Sequence, residues 1–241
     1  MKNLAQKTES SKNTINERPI LFNTEMVRAI LEGRKTQTRR LVKEKLISEQ
    51  AEFESGNRPN VIHSEPSLKY YIDNSCPFGQ VGDHLWVRET FSYALNEDDH
   101  ICDKDGNSVW DVKDAHIYFA ASEINVEGKW MPSIHMPRWA SRFSLEITNI
   151  RVERLNELSE ADAIEEGVEP IIVQDNVKVG NGWAKENRHM WKGYKNKARA
   201  YQDTAKDSFN SLWESINGDG SWDLNPWVWV IEFRVIQGGR E

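Results

Sequence analysis

The sequence is short of cysteine, of long apolar segments and of export signals. Its two cysteines, Cys76 and Cys102, are spaced neither as metal ligands nor as an evident disulfide pair, which is typical of free thiols in a reducing compartment. No apolar run approaches the length needed to cross a bilayer, and the N-terminus has no apolar signal core. These absences predict a cytoplasmic protein that does not enter membranes.

The chain also has no surplus of positive charge and none of the common catalytic motifs. A net charge of -7 and an isoelectric point near 5.5 disfavour a protein that coats nucleic acid through charge alone. A glycine-rich phosphate loop, a His-Glu-x-x-His motif and a nucleophile elbow are all missing. The six histidines are scattered, which argues against a zinc deaminase. We expect no metal and no cofactor.

What the chain does contain is enough apolar surface for one large domain. Of its 241 residues, 38% are hydrophobic and ten are tryptophans, some of which should line a pocket because their N–H groups need partners. Residues 1–17 are almost entirely polar and predict a disordered tail. Residues 18–238 are expected to form a single domain with polar insertions at about 43–74 and 174–206, the second of which could act as a lid.

Hydrophobic periodicity predicts an α+β fold. One helix capped by Thr24 should end at Gly33, a second should start after Ser159, and a third should span residues 207–217. The apolar phase of a long strand slips at Asn149, which indicates a β-bulge of the kind that barrels need. The expected strands cover residues 18–22, 38–42, 69–72, 84–91, 115–120, 143–155 and 227–235, the last apolar on both faces.

The most unusual stretch runs from the end of the first helix into the next strand. Four cations and two threonines lie within seven residues: Arg34, Lys35, Thr36, Thr38, Arg39 and Arg40. Mutual repulsion between such cations lowers the pKa of a lysine and favours an anionic partner. The ordinary alternative is a basic turn exposed to solvent.

A second group combines aromatic and charged side chains. Trp86, Arg88 and Glu89 lie on a strand with no cleanly apolar face, which indicates a strand beside a polar cavity. In the proline-bracketed loop 130–140, Trp139 could stack on a base while Arg138 meets an anion. Alternatively, the tryptophans of this loop plug the end of a barrel.

Gly33, Lys35, Thr38 and Arg40, preceded by a helix, resemble the signature of the ASCH domain, a β-barrel relative of the PUA RNA-binding fold. The wider chain, from about residue 18 to residue 236, resembles ASCH/PUA-like proteins encoded by tailed phages and prophages. The resemblance implies a PUA-like mixed β-barrel with a few peripheral helices. It also implies a pocket for a nucleoside or an RNA base.

At the signature, the chain is similar to bacterial ASCH proteins that act as acetylcytidine amidohydrolases. The resemblance implies that Lys35 is a base, Thr38 a nucleophile and Glu166 a proton shuttle. Arg39 and Arg40 are candidate substrate-binding residues, and in the mechanism that we hypothesise Arg40 holds an oxyanion or the glutamate. The expected reaction removes an acyl group from a modified cytidine or a similar amide.

This mechanism sets a condition on the backbone. On a regular strand Lys35 and Thr38 would point to opposite faces, so the chain must turn at residues 34–37 for the two to meet. The change Lys35→Ala is expected to abolish activity and to leave the fold intact, because the position is polar and next to a turn.

Two functions and three carboxylates remain open from the sequence. A hydrolase needs an enclosed site with Lys35, Thr38 and a carboxylate within reach, and Glu165 and Glu89 are alternatives to Glu166, which by pattern alone is a surface residue. A non-catalytic RNA- or nucleotide-binding module needs an extended basic surface. The acidic balance of the chain favours the hydrolase.

Overall fold

The computed structural model describes residues 15–43, 75–123, 126, 128–179, 182–195 and 200–238. Residues 1–14 of the expected tail lie outside these ranges. So do residues 44–74, which make up most of the first expected insertion and include the strand expected at 69–72. The described residues form an α+β structure, as the sequence predicts.

Strands dominate the described part of the chain. The strands are β1 (Glu17–Leu21), β2 (Gln37–Leu41), β3 (His84–Arg88), β4 (Phe91–Tyr93), β5 (Ile117–Phe119), β6 (Phe143–Arg154), β7 (Pro170–Val179), β8 (Gly182–Lys192), β9 (Tyr201–Gln202) and β10 (Trp227–Gly238). The α-helices are α1 (Thr24–Leu31), α2 (Glu160–Glu165) and α3 (Ala205–Asn217). The proline-bracketed loop forms two short 3-10 turns, Ser133–His135 and Arg138–Ala140.

The main sheet has five strands in the order β1-β3-β6-β10-β2. Only the β1–β3 pair is parallel. Along the central β6–β10 pair the register shifts where Glu232 faces Asn149 and Phe233 faces Ile147, which leaves Thr148 as the extra residue. The bulge predicted from the phase slip is therefore confirmed.

The expected barrel does not close within the described residues. β1 and β2 are the two edges of the sheet, and no backbone ladder joins them in the described ranges. A side chain bridges the gap instead: the Arg40 guanidinium on β2 donates to the carbonyl of Leu21 at 2.6 Å and lies 5.2 Å from the ring centre of Phe22. The two edges are thus held near one another by side-chain contacts and not by strand pairing.

Two hydrophobic cores lie on opposite faces of β10. Trp229, Ile231 and Phe233 pack into a core with α1, β3 and β6. Val228 and Val230, which alternate with them, pack into a second core under α3. The sequence correctly predicts that this strand is covered on both sides, because it is apolar at successive positions.

The helix ends follow local chemistry, with one difference from the expectation. The side chain of Asn23, and not that of Thr24, caps α1 by accepting from the N–H of Met26 at 2.8 Å. The expected capping box at Ser159 is present in α2. Gly33 follows α1 in the left-handed conformation that the sequence predicts.

The second expected insertion contains a long β-hairpin. β7 and β8 pair from Pro170–Trp191 to Val179–Gly182, and β9 extends β8 by two pairs. Most described side chains of this hairpin are exposed or half-buried on both faces. Because neither face is consistently buried, the sequence shows no alternation and the strands escape prediction.

Two glycines give a matched test of how tightly α2 approaches α1. A Cβ atom added at Gly167 would lie 2.7 Å from Cβ of Lys35 and 2.8 Å from Cβ of Ala29, whereas one added at Gly33 meets no described atom within 4 Å. Both residues have positive φ, so Gly33→Ala should cost about 1 kcal/mol of unfolding free energy. Gly167→Ala should cost roughly 1–3 kcal/mol more because it also overpacks the contact. Urea unfolding of both variants tests this, and equal losses would contradict it.

Candidate active site

Lys35 lies where the chain leaves α1 and has not yet entered β2. Its N–H donates to the carbonyl of Ala29 at 3.0 Å, and its backbone forms an isolated antiparallel bridge with Glu166. The N–H of Thr36 donates to the carbonyl of Glu165 at 2.9 Å, so this segment is attached to the end of α2. Regular pairing of β2 begins at Gln37. The chain is therefore not a straight strand from Lys35, although Lys35 and Thr38 make no hydrogen bond to each other in the described structure.

The Lys35 side chain forms a buried ion pair with Glu166. The two side chains are 0% and 2% exposed, and Nζ of Lys35 lies 2.9 Å from Oε2 of Glu166. The same nitrogen donates to the carbonyl of Glu166 at 2.9 Å and to that of Gln37 at 2.8 Å. All three protons of the ammonium therefore have protein acceptors.

Glu166 is held by a second cation. Nη1 of Arg39 donates to Oε1 of Glu166 at 3.0 Å, and the Arg39 side chain is fully buried. Two cations and their hydrogen bonds offset the unfavourable position of this carboxylate at the C-terminal end of α2. The pattern-based expectation of a surface Glu166 is wrong, because its side chain is 2% exposed.

Burial and charge act on Lys35 in opposite directions. Removal from water lowers the pKa of Lys35, the contact with Glu166 raises it, and the charges of Arg40 and Arg39 lower it again. The net direction is below the ordinary value of a lysine. A proton on Lys35 is therefore easier to remove than one on an exposed lysine.

A small cleft of about 100 Å³ lies between β2 and α3. Thr38, Arg39 and Arg40 of β2 line it together with Glu166, while α3 contributes Phe209, Leu212, Trp213, Ile216 and Asn217. Lys35 is not part of this wall. Thr38 and Glu166 thus share a cleft, and Lys35 contacts it through Glu166.

Three buried polar atoms on residues of the cleft wall have no hydrogen-bond partner within the described ranges. They are Oγ1 of Thr38, Nε of Arg39 and Nε1 of Trp213. We call these atoms the open donors. Buried polar groups in native proteins are nearly always paired with protein or water, so a cluster of exceptions indicates a place for a ligand or water.

A network of ion pairs and hydrogen bonds fixes the position of the Arg39 side chain. Arg39 contacts Glu153 and lies 3.6 Å from Asp162, and Arg151 donates to Glu153 at 3.0 Å and to Asp162 at 2.7 Å. Gln37 donates to Asp162 as well, at 3.2 Å. Because Arg39 is fixed in this way, its guanidinium is positioned to hold Glu166.

The aromatic and charged residues predicted near β3 lie elsewhere. β6 and β10 separate β3 from β2 in the sheet. Trp86 contacts two cations, with the guanidiniums of Arg88 and Arg138 5.4 and 5.9 Å from its ring centre. Arg138 also forms two 2.9 Å hydrogen bonds to Glu17. None of the predicted binding residues Trp86, Arg88, Glu89, Arg138 and Trp139 lines the cleft.

Glu89 and Trp139 have internal partners that explain their positions. Arg142 donates to both oxygens of Glu89, at 2.8 and 2.9 Å. Burial raises the pKa of Glu89, and Arg142 opposes this effect. Trp139 stacks on Tyr93 with ring centres 6.4 Å apart, beside a small core that includes Met136. This packing favours a structural role for Trp139 over a role in stacking on a base.

Helix α3 is the part of the cleft that sequence reasoning misses. Phe209, Leu212 and Trp213 have the spacing of an ordinary apolar stripe, and all three are buried in the second core. Only the unpaired Nε1 of Trp213 distinguishes this side chain from simple packing. A sequence carries no signal for that property.

Two structural findings bear on partners. No group of three or more His, Cys, Asp and Glu side chains among the described residues is arranged to hold a metal ion. In the same part of the chain, each helix is too short or too polar to cross a membrane.

The burial of Lys35 revises the expectation that Lys35→Ala leaves the fold intact. Lys35→Met should lower the free energy of unfolding by about 3–5 kcal/mol, because it leaves a buried carboxylate without one of its cations. The matched change Lys195→Met removes a partly exposed partner of Glu214 and should have little effect on stability, because solvent screens surface ion pairs. Chemical denaturation of both variants tests this; a small loss for Lys35→Met would show that the ion pair is dispensable for folding.

Asp162 gives a test of the supporting network through pH. Burial alone would raise its pKa, but hydrogen bonds from Ser159 and Gln37 and the charge of Arg39 lower it from 3.8 to about 2. Because the folded pKa is depressed, the stability that this carboxylate contributes is complete above pH 4 and is lost as the pH falls through about 2.

The variant Asp162→Asn should therefore be less stable than wild type at pH 7, by about 1 kcal/mol from the weakened cap alone. The difference should shrink steadily between pH 4 and pH 2 in urea unfolding. Asp203→Asn, at a side chain that is 79% exposed, is the control and should have little effect at any of these pH values. A difference for Asp162→Asn that does not change with pH would contradict the assignment.

The chain was compared with models of protein families, with curated proteins and with solved structures. No family model, no curated protein and no solved structure matches it. The resemblance to ASCH proteins therefore depends on the signature residues, and any inference about function depends on the geometry of the cleft.

Proposed function

We propose that this chain is a PUA-like ASCH protein whose cleft between β2 and α3 binds a base or nucleoside and hydrolyses an acyl amide on it. The observation that supports the proposal is the juxtaposition of an open hydroxyl, Thr38 Oγ1, with a carboxylate, Glu166, that is itself paired to a buried lysine. A nucleophile, a base and a proton shuttle are the groups that amide hydrolysis needs.

The proposed reaction begins with Lys35 in its neutral form. The 2.9 Å contact allows its proton to pass to Glu166, and the lowered pKa of Lys35 favours this transfer. Thr38 then attacks the amide carbonyl carbon while its proton passes to Lys35, a transfer that requires the two side chains to approach on substrate binding, because they are not hydrogen-bonded in the described structure. Collapse of the tetrahedral intermediate breaks the C–N bond, and the amine leaves with a proton from Glu166. Water hydrolyses the ester on Thr38 and releases the acid.

Arg39 and Arg40 have different electrostatic roles in this proposal. Arg39 holds Glu166 and contributes an open donor to the cleft. Arg40 lines the same cleft and has no carboxylate within 4 Å among the described residues. We assign the developing oxyanion to Arg40, because a preorganised cation next to a buried site stabilises such charge.

A second candidate is a non-catalytic pocket for a base. The observation that favours it is that all three protons of Lys35 are donated to protein acceptors, while Lys35 is absent from the cleft wall. In this case the ion pair fixes the wall, and the open donors bind the ligand without chemistry.

Incubation with acetylcytidine, followed by chromatography of the products, tests the hydrolase. Wild type should release cytidine and acetate, and Thr38→Val should reduce release to the uncatalysed background. This variant keeps the side-chain shape and removes a hydroxyl that has no partner in the described structure, so it should fold normally. The control Thr36→Val changes an exposed residue two positions earlier and should retain activity.

The outcomes separate the two candidates. Release by Thr38→Val at the wild-type rate would rule out Thr38 as the nucleophile. Binding of acetylcytidine by wild type without any release would support the non-catalytic pocket.

A further inference from the structure

Helix α3 forms a wall of the cleft, and one of its buried side chains carries a polar group that core packing does not need. Trp213 is 5% exposed and lies between Phe209 and Ile216 on the face of α3 that lines the cleft. Its ring packs in the second core with Leu212 and Phe209. Its Nε1–H donates to no acceptor within the described residues. A phenylalanine would fill an apolar core without this unpaired group.

The unpaired atoms are concentrated at the cleft. Across the described ranges, seven buried side-chain polar atoms lack a partner, and three of them, the open donors, belong to residues that line this one cleft. Two of the three are N–H groups, which can only donate, and the third is a hydroxyl. The two oxygens of Glu166 already accept from Lys35 and Arg39. The unmet demand of the cleft is therefore for hydrogen-bond acceptors.

We propose that Nε1–H of Trp213 is a ligand-binding donor that recognises a ring carbonyl, such as the 2-carbonyl of a pyrimidine base. The inference rests on the proposed function, because it specifies the ligand of the same cleft. About 100 Å³ suits one ring more than a whole nucleotide. Phe209 and Leu212 supply apolar surface for that ring, and Trp213 and Thr38, which also line the cleft, supply donors.

Trp229 provides a matched control for this proposal. It is buried at 3% exposure, and its Nε1 also has no partner within the described part of the chain. However, Trp229 lies on β10, in the first core, and does not line the cleft. The same chemical change can therefore be made at two buried tryptophans, of which one faces the proposed ligand.

The experiment is calorimetric titration with cytidine, which retains the ring carbonyl and has no acyl group to hydrolyse. Trp213→Phe should raise the dissociation constant for cytidine about five- to tenfold, which is the loss of affinity expected for one hydrogen bond. Trp229→Phe should bind like wild type. Both variants should have a somewhat lower melting temperature without ligand, by similar amounts, because each replaces a buried indole by a smaller ring and leaves a cavity.

A ligand-side measurement covers the case in which Trp213→Phe fails to fold. In 2-thiocytidine the carbonyl oxygen is replaced by sulfur, a weaker acceptor, so wild type should bind it several-fold more weakly than cytidine. If Trp213→Phe folds, it should no longer prefer cytidine to the same extent.

Four results would overturn the proposal. Equal affinity of Trp213→Phe and wild type for cytidine would contradict the role of Nε1 and leave the proposed function standing. Equal affinity of wild type for cytidine and 2-thiocytidine would do the same. A clearly larger loss of melting temperature for Trp213→Phe than for Trp229→Phe, with unchanged affinity for cytidine, would assign the N–H to the fold. Failure of wild type to bind cytidine would contradict the proposed function and this inference with it.

Discussion

The buried pairing of Lys35 with Glu166 is the interaction on which the candidate site depends. Removing two charges from water costs several kcal/mol per ion, so the pair is stable only because its hydrogen bonds are complete. Lys35 uses all three protons, and Arg39 occupies the second oxygen of Glu166. These contacts join the end of α2 to the start of β2. Whatever β2 presents to the cleft is therefore positioned by this ion pair.

Glycine makes the approach of these segments possible. At Gly167 the chain turns with positive φ while its backbone lies close to Lys35 and Ala29, and a side chain would force the segments apart. The same junction places Thr38 and Arg39 at the cleft that α3 also lines. Hydrogen bonds are complete around the ion pair of Lys35 and Glu166 and are missing at the open donors. This contrast within a few residues is typical of sites where stability is reduced in favour of binding.

Sequence reasoning succeeded where the signal is local. The bulge at Thr148, the two-sided burial of β10 and the capping box of α2 follow from periodicity and short-range hydrogen bonding. It failed where the burial or pairing of a residue depends on neighbours that are distant in the chain. The burial of Glu166 depends on Lys35 and Arg39, more than 120 positions earlier, and the pattern alone predicts a surface residue. Barrel closure fails for the same reason, since strand periodicity does not specify which edges meet.

Residue type also proved a weaker guide to the site than hydrogen-bond pairing. The chemistry of their side chains groups four residues near β3 as candidates, yet each already has a partner within the protein. Arg138 contacts both Trp86 and Glu17, Arg142 pairs with Glu89, and Tyr93 stacks on Trp139. Trp213 looked like an ordinary core residue, yet its N–H has no acceptor in the described structure. A charged side chain that is already paired has little left to offer a ligand, whereas a buried donor without an acceptor gains most from one. By this criterion the cleft between β2 and α3 has unpaired donors that a ligand could satisfy, whereas the charged side chains around β3 already have protein partners.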